Sequence, residues 1–288
     1  MPRIPIVLSH VQIESLLRAR DSLEVSEGEH AATTSADLGR SETRVTLDGE
    51  GVHYPSGERL RWKDAARIVK NSSVCFTLSG GEIAEIRTFS QTTNWVRSLY
   101  PTRSAPTMLV SGVPMHRIKD TDPWRDTLAK AKTIAPIIGR VLDTATGLGY
   151  TAIVASETAA QVVTIELDPA GLDIARQNPW SRELFERANI QQLIGDAGDI
   201  LPTLEAASFA RIVHDPPQLS LAGHLYSEDF YRELRRVLAR GGRLFHYIGD
   251  PASPFGSRTT SGVMRRLRAA GFGRVVRRPE AFGVVAYG

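Results

Sequence analysis

The stretch Val141-Leu-Asp-Thr-Ala-Thr-Gly-Leu-Gly-Tyr-Thr-Ala152 decides the fold, because its pattern is that of a strand end followed by a helix start. Gly147 and Gly149 stand where the backbone must turn tightly and come close to a ligand. A glycine loop between a strand and a helix predicts a nucleotide-type binding site.

Strand and helix patterns alternate on both sides of this loop. A helix is expected from Pro123 to Ile138, with Asp122 as its N-cap. Strands joined by helices favour parallel pairing, so we expect a doubly wound, Rossmann-like α/β sheet. A C-terminal antiparallel hairpin should close it, because its two strands are joined too closely for a crossover. The expected strands are GRVLDTA, QVVTIEL, IQQLIGDA, ARIVHDPP, RLFHYIG, GRVVRR and FGVVAYG, and the expected helices are YTAIVASETA, PAGLDIARQNP, SEDFYRELRRVLARGG and SGVMRRLRAAGF.

The first part of the chain has a different texture. After a helix expected between Pro5 and Leu23, short alternating runs are separated by turn residues such as Asp48-Gly49 and Gly80-Gly81. We therefore predict a small β-rich domain over residues 1–110, followed by the α/β domain over residues 111–288.

Composition narrows the function classes. The 288 residues are 42% hydrophobic and 23% charged, which are ordinary globular values and disfavour a disordered or fibrous chain. No apolar run predicts a membrane span or a secretory signal, and the single cysteine, Cys75, suits a reducing cytoplasm and provides no multi-cysteine metal site. The net charge is only +3, yet from Tyr231 onward twelve arginines stand against three acids, which suggests a phosphate-facing surface.

The glycine loop also matches another class of site. Gly147-x-Gly149-x-x-Ala152 satisfies the dinucleotide fingerprint, and Glu166 lies 19 residues beyond Gly147, where an acid would hold ribose hydroxyls. A nicotinamide or flavin enzyme is therefore an alternative. Against it, Asp143 ends the strand where that fingerprint carries an apolar residue, and a carboxylate there suits a cationic ligand better than a diphosphate.

Acidic residues at four successive strand ends resemble those of class I S-adenosylmethionine-dependent methyltransferases. They are Asp143, Glu166, Asp196 within Gly195-Asp-Ala197, and Asp215. The resemblance implies S-adenosyl-L-methionine as cofactor, with its methionine moiety near Asp143 and the glycine loop, its ribose at Glu166 and its adenine at Asp196. The cofactor set implied in this way is Asp143, Ala145, Gly147, Gly149, Glu166, Asp196 and Ala197, where Ala145 replaces the more usual first glycine.

The motif Asp215-Pro216-Pro217 follows the strand pattern ARIVH and should lie at the ligand-binding edge. Two prolines remove two N–H donors, so acceptors remain to meet a donor such as an NH₂ group. The motif resembles the Asp/Asn-Pro-Pro-aromatic signature of amino-methyltransferases, except that Gln218 replaces the aromatic residue. By this resemblance Asp215, Pro216 and Pro217 form the catalytic set.

Most of the chain, including Met115-His-Arg-Ile-Lys119, is similar to a mainly archaeal group of predicted methyltransferases. That similarity implies methylation of an exocyclic amine of RNA, most specifically cytidine in ribosomal RNA. Contacts to the substrate are expected from His214, Tyr226, Tyr247 and His116, and the RNA backbone would be bound by the β-rich domain and the C-terminal arginines.

Two further alternatives remain at this stage. Aminopropyltransferases share the fold and an acid after the fourth strand, but a cationic polyamine would want an acidic pocket, whereas the C-terminal part of the chain is basic. A degenerate cofactor domain that binds RNA without turnover is disfavoured because all four acids are intact.

Overall fold

The computed structural model describes residues 5–23 and 30–288. These residues form two compact units, the first within Met1–Trp124 and Ala170–Arg182, the second from Arg125–Pro169 and Glu183–Gly288. The sequence analysis expects one boundary near residue 110, whereas the structure adds residues 111–124 and 170–182 to the first unit.

Antiparallel sheets dominate the first unit, as predicted. Their strand orders are β1-β6-β7, β2-β3-β4-β5 and β11-β10-β9-β8. The strands are β1 (Ile6–Leu8), β2 (His30–Thr34), β3 (Thr43–Leu47), β4 (Gly51–His53), β5 (Arg59–Arg61), β6 (Phe76–Ser79), β7 (Glu82–Glu85), β8 (Arg87–Phe89), β9 (Val96–Tyr100), β10 (Thr107–Val110) and β11 (Val113–Pro114), and the helices are α1 (His10–Leu23) and α2 (Trp62–Lys70).

The opening segment differs from the single helix expected between Pro5 and Leu23. Strand β1 comes first and pairs antiparallel with β6, and all three of its residues are buried. Helix α1 begins only after Ser9, whose N–H donates to Gln12 Oε1 at 3.0 Å, while Ser9 Oγ accepts from the Val11 N–H at 3.3 Å. This Ser-x-x-Gln arrangement resembles a capping box and fixes where the helix starts.

The second unit contains the predicted sheet, with strand order β14-β13-β12-β15-β16-β18-β17. The first five strands in this order are parallel, whereas β18 is antiparallel to both β16 and β17, which confirms the closing hairpin. The remaining elements are α3 (Pro123–Thr133), β12 (Arg140–Asp143), α4 (Tyr150–Ser156), β13 (Gln161–Glu166), α5 (Pro169–Gln177), α6 (Arg182–Glu186), β14 (Ile190–Ile194), α7 (Ala197–Ile200), β15 (Phe209–His214), α8 (Glu228–Val237), β16 (Leu238–Tyr247), α9 (Pro254–Ala269), β17 (Arg274–Arg278) and β18 (Gly283–Tyr287).

Two helices end earlier than their sequence patterns predict. Helix α3 stops at Thr133 rather than Ile138, because Pro136 lacks an N–H and disfavours helical backbone in the preceding residue. Helix α8 stops at Val237, and the chain enters β16 at once. Gly241, with φ of 72°, adopts a left-handed conformation that a helix interior excludes.

The sheet brings the chemistry-bearing loops to one edge. Parallel strands β12, β13, β14 and β15 all end on the same side, and the glycine loop and the four predicted acids follow these ends. Across the described ranges, no helix is long and apolar enough to cross a membrane.

Candidate active site

The glycine loop joins β12 to α4 through two left-handed residues. Gly147 has φ of 53° and Gly149 has φ of 77°, conformations that L side chains rarely adopt. A Cβ on Gly149 would also lie 2.6 Å from Leu184 Cδ2. Conformation and space together therefore require glycine at this position.

Asp143 is almost fully buried at the end of β12. Its Oδ2 accepts from Thr164 Oγ1 at 2.8 Å, whereas Oδ1 has no hydrogen-bond partner among the residues the structure describes. Burial raises the pKa of Asp143 to about 7, and the nearby charges of Asp215 and Glu166 raise it further against the hydrogen bond from Thr164. An unsatisfied buried carboxylate oxygen is suited to a cationic donor group.

Glu166 ties the end of β13 to the glycine loop. Its Oε2 accepts from the Gly147 N–H at 2.8 Å, and its Oε1 accepts from the Asp168 N–H at 3.0 Å. Each carboxylate oxygen has a second lone pair, so this held side chain can still accept from a ligand hydroxyl.

Asp196 caps the short helix α7 after β14. Its side chain accepts from the Gly198 N–H at 2.7 Å, and His224 Nε2 lies 3.1 Å from Oδ2. Ala197 is buried behind this cap, and Ala145 in the glycine loop is partly exposed. The sequence analysis did not single out His224, because only the tertiary fold brings it to Asp196.

Asp215 follows β15 and meets a buried lysine. Lys130 Nζ lies 2.6 Å from Asp215 Oδ2 and 2.8 Å from Asp126 Oδ2, and its side chain is 3% exposed. The ammonium also lies over the ring of Tyr247, 4.4 Å from its centroid. The sequence analysis missed Lys130 and Asp126; their i, i+4 spacing on α3 was the available signal, but such spacing is common on exposed helix faces.

The charges of this group act in opposite directions on Asp215. Burial raises the pKa of its carboxyl, the Lys130 ammonium lowers it, and the Asp126 charge raises it, with a net rise above the ordinary value. For Lys130, burial lowers the pKa but the two carboxylates outweigh it and raise it above the ordinary value. Lys130 is therefore a permanent cation at neutral pH.

The two prolines after Asp215 differ in environment. Pro216 is buried and Pro217 is exposed. The Tyr226 hydroxyl donates to the Pro217 carbonyl at 3.0 Å, and Tyr226 itself is 3% exposed. Tyr226 thus holds the Asp-Pro-Pro turn from inside the fold rather than offering an open ring face.

His214 corrects one expectation. It is fully buried, so it supports the site from below and offers no surface to a substrate. Its Nε2–H donates to the Leu225 carbonyl at 3.0 Å, so Nδ1 accepts from Thr144 Oγ1 at 2.6 Å. Burial lowers the pKa of His214 to about 3, which keeps the ring neutral.

His246 lies against His214, with ring centroids 4.5 Å apart. It is also fully buried, accepts from the Tyr231 hydroxyl at 2.8 Å through Nε2, and donates through Nδ1 to the Tyr247 carbonyl at 2.6 Å. Burial lowers its pKa well below the ordinary value. The layer beneath the strand ends is therefore neutral and fully hydrogen-bonded at its imidazoles.

The other two predicted substrate contacts have different surroundings. Tyr247 is partly exposed at the end of β16 beside Lys130. His116 belongs to the first unit, where its Nδ1 lies 3.0 Å from Thr107 Oγ1. A role for His116 at the substrate stays a prediction.

Known proteins resemble this chain at three levels. A family model described as "Methyltransferase domain" matches residues 142–246. Over 290 residues the chain is 38% identical to uncharacterized protein MJ1233 of Methanocaldococcus jannaschii, covering 99% of this chain and 98% of that protein. Polyamine aminopropyltransferase 2 of Streptomyces coelicolor is 35% identical over 128 residues, which are 42% of this chain and 23% of that protein.

A solved structure supports the fold. Spermidine synthase in complex with the transition state analogue AdoDATO superposes with a TM-score of 0.57 at 14% identity, covering 72% of this chain and 75% of that one. The protein is thus an S-adenosylmethionine-dependent methyltransferase with a Rossmann-like fold. More narrowly, the chain belongs to the same family as MJ1233.

The site fits its cofactor, S-adenosyl-L-methionine. The unsatisfied Oδ1 of Asp143 suits the ammonium group of a methionine moiety, and the glycine loop leaves room that a Cβ on Gly149 would fill. The dinucleotide alternative is not supported, because a buried carboxylate at the strand end would repel a diphosphate.

Proposed function

We propose that this protein transfers a methyl group to an exocyclic amine of RNA, most specifically to cytidine in ribosomal RNA. The observation that carries the proposal is Asp215, a carboxylate held at the end of β15 and followed by two residues without N–H groups. Acceptors at a methyltransferase strand edge suit an amine donor.

The cofactor contacts are part of this proposal. Asp143 would bind the amino group of S-adenosylmethionine, Glu166 its ribose hydroxyls and Asp196 its adenine amino group. Gly147 and Gly149 would let the backbone come close, beside Ala145 and Ala197. When bound, the cofactor supplies an electrophilic methyl group.

Asp215 would activate the acceptor. An exocyclic amine is a weak nucleophile because its lone pair is delocalised into the base. Asp215 Oδ2 is already engaged by Lys130, so Oδ1 is the oxygen available to accept an N–H of the substrate and to take the proton that the nitrogen loses. Such a hydrogen bond is worth on the order of 10²- to 10⁴-fold in rate.

RNA as the partner is supported by charge. Several C-terminal arginines serve the fold itself: Arg235, Arg236, Arg243 and Arg266 donate to carbonyl oxygens of their own chain. Others have exposed side chains in the second unit and suit phosphate groups. The exposed ones are Arg240, Arg258, Arg265, Arg268, Arg274 and Arg277.

Aminopropyl transfer to a polyamine is the second candidate. It is favoured by the similarity to the Streptomyces aminopropyltransferase and by the spermidine synthase fold. Against it, a polyamine carries ammonium groups, and the Lys130 ammonium already lies 2.6 Å from the acceptor carboxylate. A fixed cation there favours a neutral amine over a charged one. A protein that binds RNA without turnover is the outcome left if neither transfer is found.

The replacement Asp215→Ala tests the assignment of this residue. We expect loss of methyl transfer to RNA, together with unchanged binding of S-adenosylhomocysteine by calorimetry. Glu205→Ala, at an exposed residue before β15, is the matched control and should keep both properties. Loss of cofactor binding in Asp215→Ala, or retained transfer, would refute the role of Asp215 as the substrate acceptor.

A further inference from the structure

Lys130 occupies a position that the reaction itself does not explain. It is 2% exposed on α3, and its ammonium is shared between Asp126 on the same helix and Asp215 after β15. Removing an ammonium from water costs several kcal/mol unless it is well paired. Here two carboxylates and the ring face of Tyr247 surround it, so it is held in one place.

Chemical roles of its own are excluded for Lys130. A lysine acts as a nucleophile or a base only when it is neutral, and the two carboxylates raise the pKa of Lys130 above its ordinary value. Its ammonium is also fully surrounded within the second unit, where its side chain is 3% exposed. Any effect on the reaction must therefore pass through Asp215.

We infer that Lys130 is a positioning residue for Asp215: it engages Oδ2, directs Oδ1 toward the amine of the substrate, and holds the carboxyl in its ionised form. Asp126 is the second part of this device, because it shares the same ammonium and limits how much charge Asp215 receives. This inference rests on the proposed function for its substrate, but its electrostatic content is independent of that substrate.

The arrangement has a two-sided consequence. The Lys130 cation lowers the pKa of Asp215, whereas the Asp126 charge raises it. Removing the lysine charge should therefore make Asp215 a weaker acid, and removing the Asp126 charge should make it a stronger one. A purely structural lysine would give no such pair of opposite shifts.

The test follows the ionisation of Asp215 directly by ¹³C NMR in protein labelled at aspartate carboxyl carbons, with Asp215→Asn to assign its signal. Lys130→Met should move the titration to higher pH by about one unit or more. Asp126→Asn should move it to lower pH, and Lys130→Arg should leave it near the wild-type value. Lys132→Met, at an exposed lysine on the same helix, is the matched control.

Folding is checked by thermal melting and S-adenosylhomocysteine binding before each titration. Where Lys130→Met fails to fold, Asp126→Asn carries the test, since it keeps the shape of the side chain. Opposite shifts in the two folded variants, or the shift to lower pH in Asp126→Asn alone, support the inference. An unchanged Asp215 titration in every folded variant overturns it.

Activity provides the second arm. In methyl transfer to RNA, the acidic limb of the kcat/KM profile should move in the same directions as the NMR titrations, with at least about a tenfold loss for Lys130→Met at pH 6. If wild-type protein methylates no RNA, the proposed function fails while the NMR result still decides the role of Lys130. If RNA is methylated but the acidic limb is the same in all folded variants, the inference about Lys130 fails alone.

Discussion

Thr144 Oγ1 lies 2.6 Å from His214 Nδ1 and donates to it, which joins the residue after β12 to the last residue of β15 beneath the site. Both side chains are buried, so this bond fixes the two neighbouring strand ends that precede the glycine loop and the Asp-Pro-Pro motif.

Replacing Thr144 by Val removes the donor and leaves a buried acceptor unsatisfied. We expect the free energy of unfolding to fall by about 1–3 kcal/mol. Urea denaturation followed by circular dichroism measures it. Thr203→Val, at an exposed residue, should change stability by less than about 0.5 kcal/mol. Equal stability of Thr144→Val and wild type would show that the bond contributes nothing.

The depressed pKa of His214 predicts a pH-dependent contribution to stability. Folded His214 titrates at about 3, whereas the unfolded residue titrates near 6.5, so below about 6.5 the unfolded chain binds an extra proton and the folded state is penalised. In His214→Gln this penalty is absent. The stability of wild type relative to the variant should therefore drop by about 2 kcal/mol between pH 6.5 and pH 5.

Urea denaturation of both proteins at several pH values checks this difference. The comparison with a variant matters because Asp143 has the opposite sign: its raised pKa makes the folded state bind a proton as the pH falls through 7. A difference between wild type and His214→Gln that stays constant with pH would contradict a buried neutral imidazole.

Asp143 should make cofactor affinity depend on pH. Its pKa is raised to about 7, and only the ionised carboxylate pairs well with an ammonium group. Binding of S-adenosylhomocysteine should therefore tighten as the pH rises from 6 to 8. Asp143→Asn should weaken binding by about 10- to 100-fold and remove this pH dependence.

Isothermal titration calorimetry at fixed ionic strength measures both effects. Asp199→Asn, at an exposed residue on α7, is the control and should retain the wild-type pH dependence. Tight, pH-independent binding by Asp143→Asn would assign the amino group of the cofactor to another residue.

Gly149 should not tolerate a side chain. Alanine there combines a left-handed backbone with a Cβ that meets Leu184, so we expect Gly149→Ala to lower stability by about 1–2 kcal/mol or more and to weaken cofactor binding. Gly273→Ala is the matched control, because no atom lies within 4 Å of its added Cβ. Melting temperature and calorimetry compare the two, and equal behaviour would contradict a tight glycine loop.

The sheet and its functional edge could be predicted because local patterns carry them. The stretch from Val141 to Ala152 contains a strand, a turn that needs glycine and a helix, and the alternation after it leaves few topologies. The start of β1 was missed since three apolar residues fit a helix as well as a strand. The early end of α8 depends on two glycines that a helix-period pattern does not exclude.

The site was only half predictable for a related reason. Asp143, Glu166, Asp196 and Asp215 each follow a strand, so the sequence alone brings them to one edge. Lys130 is 85 positions before Asp215 and His224 is 28 positions after Asp196, and no local signal connects either pair. The burial of His214 likewise depends on residues from other elements that close over it.

The most direct measurement follows a labelled methyl group. Purified protein and methyl-labelled S-adenosylmethionine are incubated with unmodified small-subunit ribosomal RNA, and the RNA is digested to nucleosides for mass spectrometry. In parallel, decarboxylated S-adenosylmethionine and a polyamine test aminopropyl transfer. Our account predicts label in cytidine methylated on its exocyclic amine, and none with Asp215→Ala. Aminopropyl transfer to the polyamine, with no label in any nucleoside, would contradict it.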